Sequence, residues 1–160
     1  MAQRTEAGNE AVPLQLRLSR VLHARRETVF DAWCNADRVK RWFCPETFTV
    51  THAEVQPEIG GRFDVCMRSP SGEESWIRGS IVEVVPDVRL VIDMQVTDGA
   101  GRPLFRARTE ADFCDALGGT RLDLVQSYTL IDPAAAWMVK GAPEGWRSTL
   151  DKLEMEVVRL

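Results

Sequence analysis

Residues 143–160 read Pro143-Glu144-Gly145-Trp146-Arg147-Ser148-Thr149-Leu150-Asp151-Lys152-Leu153-Glu154-Met155-Glu156-Val157-Val158-Arg159-Leu160, and within them Trp146, Leu150, Leu153, Val157 and Leu160 recur at helical spacing. One face of the segment is therefore apolar, which predicts a long amphipathic helix from Pro143 to Leu160. Upstream, from Leu14 to Leu130, the dominant period is two, that of half-buried strands. A closing helix in such a chain has only a sheet to lie on. The expected class is α+β, and a curved sheet around one long helix tends to leave a cavity between them.

Leu14-Gln15-Leu16-Arg17-Leu18 alternates cleanly and predicts a first strand that ends near His23. Val29, Phe30 and Trp33 then fall at helical spacing, and Asp37 to Trp42 repeats the pattern after a break that Asn35 and Asp37 can cap. Two short helices thus follow the first strand. Six further strands are predicted at Phe48–Val55, Arg62–Arg68, Ser75–Val85, Arg89–Val96, Leu104–Phe113 and Thr120–Leu130. Turn chemistry fills each gap, as in Pro70-Ser71-Gly72, Pro86-Asp87 and Gly118-Gly119. Connections this short favour antiparallel neighbours, because a parallel crossover needs roughly a dozen residues. A meander of six strands results, with the first added at an edge or closing the sheet. Asp132-Pro133 opens another short helix, Ala134 to Lys140, whose alternative is a loop over the cavity mouth.

The chain of 160 residues carries a net charge of -4, with its basic residues scattered, which argues against a nucleic-acid partner. No stretch approaches the roughly 18 apolar residues of a membrane span. Met1 to Glu10 is polar, without the apolar core of a secretory signal, so a cytoplasmic location is expected. Residues 1–12 lack periodicity and read as a disordered tail, leaving 13–160 as a single domain. The four cysteines, Cys34, Cys44, Cys66 and Cys114, include no Cys-x-x-Cys pair and read as small apolar side chains.

Several short motifs occur in one order: Phe30-Asp31-Ala32-Trp33; Trp42 followed by Pro45; Val55 leading to Ile59-Gly60-Gly61-Arg62-Phe63; Met67 before Ser69-Pro70-Ser71-Gly72; Glu83-Val84-Val85-Pro86 with Arg89-Leu90; Gly119-Thr120-Arg121-Leu122; and Gly145-Trp146 with Leu150 and Leu153. With the order of elements, this set resembles the START-like (SRPBCC) superfamily and, within it, the family named after the activator of the heat-shock protein 90 ATPase. The resemblance covers about Leu14 to Leu160. It implies the helix-grip fold, a curved antiparallel sheet of about seven strands around the C-terminal helix. It also implies a scaffold on which members bind lipids, polyketides or other small hydrophobic molecules and a few do chemistry; no catalytic motif carries over.

The candidate ligand-cavity residues follow from parity. On Thr120–Leu130, Leu122, Leu124, Gln126, Tyr128 and Leu130 share one face, so Gln126 and Tyr128 turn toward the helix as hydrogen-bonding groups in an otherwise apolar pocket. Trp146, in the first turn of the closing helix, leans back onto the sheet near the cavity entrance. Leu124, Leu150 and Leu153 join these, with Phe63, Met67, Ile92, Met94, Phe105 and Ala107 as apolar walls. Asp93, Arg106, Arg108, Glu110 and Asp112 take the opposite parity and form a solvated face. Ser75–Val85 resists phasing: Ile77, Gly79 and Ile81 compete with Trp76, Val82 and Val84, which leaves Arg78 undecided.

Gly60-Gly61 is read as a tight turn and not a phosphate loop, because a strand, not a helix, follows it. His23 and His52 have no neighbouring ligand at metal spacing, so neither a metal nor a cofactor is expected. The leading expectation is a binding protein for a small hydrophobic ligand, a monomer or a homodimer, with unknown catalytic residues if any. A polyketide-cyclase-like enzyme using Tyr128 or His52 as acid or base is the second reading. A stress or co-chaperone interaction protein, suggested by the family name alone, is the third.

Overall fold

A computed structural model describes residues 14–159, so the expected tail, residues 1–12, lies outside the described residues. Seven strands, β1 (Gln15–Leu22), β2 (Thr49–Val55), β3 (Arg62–Arg68), β4 (Glu74–Val85), β5 (Arg89–Asp98), β6 (Pro103–Ala116) and β7 (Gly119–Leu130), form one antiparallel sheet. Its order is β1-β7-β6-β5-β4-β3-β2. The strand β1 lies at an edge, with Gln15 opposite Ser127 and Leu22 opposite Thr120, and the sheet is open. Two short helices, α1 (Arg26–Cys34) and α2 (Ala36–Trp42), follow β1; α3 (Ala136–Lys140) and the long α4 (Ala142–Val158) follow β7.

Local chemistry explains where elements break. Asn35 is extended, which stops α1, and its side chain accepts a hydrogen bond from the Asp37 amide (3.0 Å) to start α2. Asp132 caps the turn Pro133–Ala135 in the same way through the Ala134 amide (3.0 Å). At the Gly60-Gly61 turn the Gly60 amide donates to Ile81 O (2.8 Å) and the Gly61 amide to Glu58 O (2.8 Å). A Cβ on Gly61 would stand 2.0 Å from Gln56 O, so glycine is required by close approach. Both amides are spent on backbone, and the turn reading holds.

The ambiguous strand resolves into a bulge. Ile81 opposes Ile92, but Glu83 opposes Val91 and Val84 opposes Leu90, so one residue is inserted at Val82. Ile77, Gly79 and Ile81 therefore face inward before the bulge, and Val84 faces inward after it. Each competing parity is right over half the strand. Arg78 points outward, its guanidinium 3.8 Å from the Trp76 ring centroid.

The inner face of the sheet meets α4 through residues that are almost fully buried, among them Ile92, Leu122, Leu124, Leu150, Leu153 and Val157. An aromatic cluster from α1, α2 and their neighbours occupies one end of the grip. Trp33 and Trp42 have no exposed surface and meet edge to face at 5.0 Å, Trp33 reaches Phe113 at 6.2 Å, and Phe43 reaches Phe63 at 5.2 Å. Polar ties hold the C-terminal half of α4 over this end. Buried Glu156 accepts from Arg38 Nε (3.1 Å) and Arg41 Nη1 (2.9 Å), and Asp151 accepts from Arg20 (2.6 Å). With that end filled, the hollow that α4 covers lies beneath its N-terminal turns.

Candidate functional site

That space is a cavity of about 290 Å³, near the lower end of the range for small-molecule sites. Its roof is the start of α4 (Ala142, Gly145, Trp146, Thr149) with Trp137, Met138 and Gly141. Its floor is the inner face of β3 to β7 (Met67, Ser75, Ile77, Met94, Val96, Phe105, Ala107, Gln126, Tyr128), and the loop Phe43, Cys44, Pro45, Phe48 closes one side.

Seven of the twelve residues expected at the cavity converge on it: Met67, Met94, Phe105, Ala107, Gln126, Tyr128 and Trp146. The other five, Phe63, Ile92, Leu124, Leu150 and Leu153, are placed in the solid core and not on the cavity wall. The aromatic cluster explains the difference, because Phe63 packs on Phe43 there, and the residues beneath the later turns of α4 are enclosed with it. Parity selects the buried face; it does not say where along that face the filling stops.

Four groups of wall residues carried weaker signals. Thr149 lies one turn beyond Trp146 on the same face of α4, and Val96 shares the parity of Met94; both were recoverable from period alone. Ile77 was hidden by the bulge. The loop Phe43–Phe48 has no period, and its position depends on a distant residue. Lys152 of α4 donates to Pro45 O (2.9 Å), Phe48 O (3.2 Å) and Cys44 Sγ (3.2 Å). The short helix expected over Ala134 to Lys140 is present as α3 from Ala136, preceded by the turn Pro133–Ala135, and it too contributes to the wall through Trp137 and Met138.

One polar network crosses the apolar wall. Gln126 Oε1 accepts from Trp146 Nε1 (2.9 Å) and from the Tyr128 hydroxyl (2.5 Å), while Gln126 Nε2 donates to Thr109 Oγ1 (2.8 Å). The four side chains are 0 to 9% exposed, so pairing is obligatory: a buried polar group without a partner costs about 1–3 kcal/mol. The network joins the helix to β7 and holds the Trp146 ring against Phe43 (5.6 Å) and Trp33 (6.2 Å, stacked).

Burial pushes the Tyr128 phenol well above its ordinary value, so it is protonated throughout the physiological range. Burial likewise raises the Cys44 thiol, although the nearby Lys152 ammonium pulls it partly back. His52 is exposed on the outer face beside Trp76 (ring centroids 5.5 Å apart), away from the cavity. Among the described residues, no three of His, Cys, Asp and Glu gather where they could hold a metal ion.

These shifts have a consequence for stability. A group whose folded pKa is raised releases its proton more readily when unfolded, so the unfolded state gains over the interval between the two values. Burial, with Asp31 and Asp87 adding, pushes Cys34 from 9.0 to about 12, and Tyr128 begins its interval at about 10. Unfolding free energy is expected to fall steadily as pH rises from about 9 to 12. Denaturant titrations at stepped pH should show this slope, and Cys34→Ala and Tyr128→Phe should each flatten it.

The family model described as "Activator of Hsp90 ATPase homolog 1-like protein" matches residues 23–157. Among curated proteins no relative matches the chain. Solved structures of similar fold include protein NE0264 from Nitrosomonas europaea, with a TM-score of 0.76 and 24% identity over 91% of this chain and 95% of that one. Protein CV1439 from Chromobacterium violaceum has a TM-score of 0.75 and 25% identity over 91% and 97%. The AHSA1 protein SPO3351 from Silicibacter pomeroyi has a TM-score of 0.74 and 22% identity over 90% and 97%. The fold shared with these structures and the match over most of its length lead to one conclusion: the chain belongs to the activator of Hsp90 ATPase homolog 1-like family, within the START-like superfamily.

Proposed function

We propose that this protein binds a small hydrophobic molecule in the cavity between the first turns of α4 and the concave sheet. The observation that carries the reading is the contrast along one helix. The later turns of α4 rest on a filled core, whereas Trp146 and Thr149 border a hollow in which Gln126, Tyr128 and Trp146 are paired with one another and Thr149 Oγ1 donates to Gly145 O. Such a wall gains by covering apolar surface, at about 25 cal/mol per Å² removed from water, and a network whose donors to Gln126 are already bonded loses little when water leaves. No observation favours the cyclase-like alternative. His52 lies outside the cavity, and the raised pKa of Tyr128 leaves it unsuited to act as a base near neutral pH.

Two tryptophans border the cavity, so occupancy should alter intrinsic fluorescence, and calorimetry with neutral aromatic and aliphatic compounds gives the affinity. The decisive variant is Ala107→Phe. Ala107 lies on the floor, and a benzyl group there would occupy the hollow itself. Binding is expected to weaken at least tenfold while the melting temperature holds or rises, since filling a void stabilises. Unchanged affinity in a folded Ala107→Phe protein, or no binding by the wild type, would contradict the proposal.

A further inference from the structure

The cavity carries a charge preference as well as an apolar one. None of its lining residues is Lys, Arg, His, Asp or Glu. Lys152 bonds to the wall, but its ammonium has three N–H donors, and three acceptors take them: Cys44 Sγ, Pro45 O and Phe48 O. It is the tether of the loop, and an anion would have to break that tether to reach it. The Arg38 and Arg41 guanidiniums are committed to Glu156 at the other end of α4.

The space beside the cavity has the same bias. A second hollow adjoins the first, sharing Phe48, Ser75, Trp137 and Met138 with it, and its rim carries Glu73, Glu74, Asp98 and Asp132. Arg68 pairs with Glu74 (2.9 Å) and Arg102 with Asp98 (3.5 Å), which leaves Glu73 and Asp132 without a basic partner among the described residues. A carboxylate or phosphate would therefore sit near these carboxylates and lose its hydration in the cavity with no counter-charge to replace it, which is prohibitive for an ion.

The polar network narrows the choice further. Both acceptor positions of Gln126 Oε1 are taken by the Trp146 N–H and the Tyr128 O–H. The Tyr128 oxygen gives its one proton to Gln126 and keeps its own lone pairs, which makes it the acceptor left over among the three side chains. We infer that the ligand is uncharged, free of carboxylate and phosphate, and carries a hydroxyl or N–H donor that meets the Tyr128 oxygen. This inference rests on the binding reading above and specifies its ligand class.

Three probes of one skeleton test it by calorimetry on the full chain: 2-naphthalenemethanol, naphthalene and 2-naphthoate. The alcohol is expected to bind at least tenfold tighter than the carboxylate at neutral pH, and tighter than naphthalene. In Tyr128→Phe the advantage of the alcohol over naphthalene should vanish, since the oxygen that would accept the alcohol's proton is gone. A carboxylate that binds as tightly as the alcohol would overturn the neutrality, and an alcohol advantage that survives in Tyr128→Phe would overturn the assigned acceptor; in both cases cavity binding itself stands. Failure of all three probes would overturn the binding reading and this inference with it.

Discussion

Replacing Leu153 by alanine is expected to lower the unfolding free energy by about 2–5 kcal/mol, the usual cost of truncating a fully buried leucine. Leu153 has no exposed surface and sits in the filled part of the grip, not on the cavity wall. The same variant should therefore bind a cavity probe with nearly wild-type affinity at temperatures where it is folded. Urea denaturation gives the first number and calorimetry the second. A large loss of affinity with little loss of stability would mean that the hollow extends further along α4 than the packing shows.

Gln126→Leu should produce the other large effect. The substitution keeps approximate size but removes the acceptor shared by Trp146 Nε1 and the Tyr128 hydroxyl, together with the donor to Thr109. Each orphaned buried donor costs about 1–3 kcal/mol, so stability should drop by several kcal/mol. A double-mutant cycle makes the test specific. Adding Tyr128→Phe to Gln126→Leu removes one of the orphans, and the double variant is expected to be more stable than Gln126→Leu alone, because exchanging both partners for apolar groups is close to neutral. Strict additivity of the two single losses would show that the side chains do not act as one network.

The sequence and the structure agree where period alone decides. The alternation of Leu122, Leu124, Gln126 and Tyr128 was enough to set one face of β7, because side chains in a strand alternate without exception until a bulge intervenes. In β4 such a bulge does intervene at Val82, and a single residue inserted between Ile81 and Glu83 made two incompatible readings each half right. The helix posed a different difficulty. Trp146, Leu150 and Leu153 share a face and look equivalent in a helical pattern, yet only Trp146 borders the cavity. What separates them is the filling beneath each: Leu150 and Leu153 are enclosed in the core, whereas Trp146, held against Trp33 and Phe43 from more than a hundred residues earlier, also borders the hollow. The loop from Phe43 to Phe48 was illegible for a related reason. It has no regular structure of its own, and its place on the cavity wall is held by the three hydrogen bonds of Lys152.

Everything functional depends on a hollow that persists beneath Trp146 and stays dry enough to accept apolar matter. Diffraction from crystals pressurised with xenon tests this directly, since xenon enters apolar cavities and avoids those filled by side chains or by bound water. The account predicts a xenon atom enclosed by Met94, Phe105, Ala107 and Trp146, absent in crystals of the Ala107→Phe variant. An unoccupied or collapsed space there, or a chain of ordered waters bonded to Tyr128 and Gln126 that xenon does not displace, would contradict it.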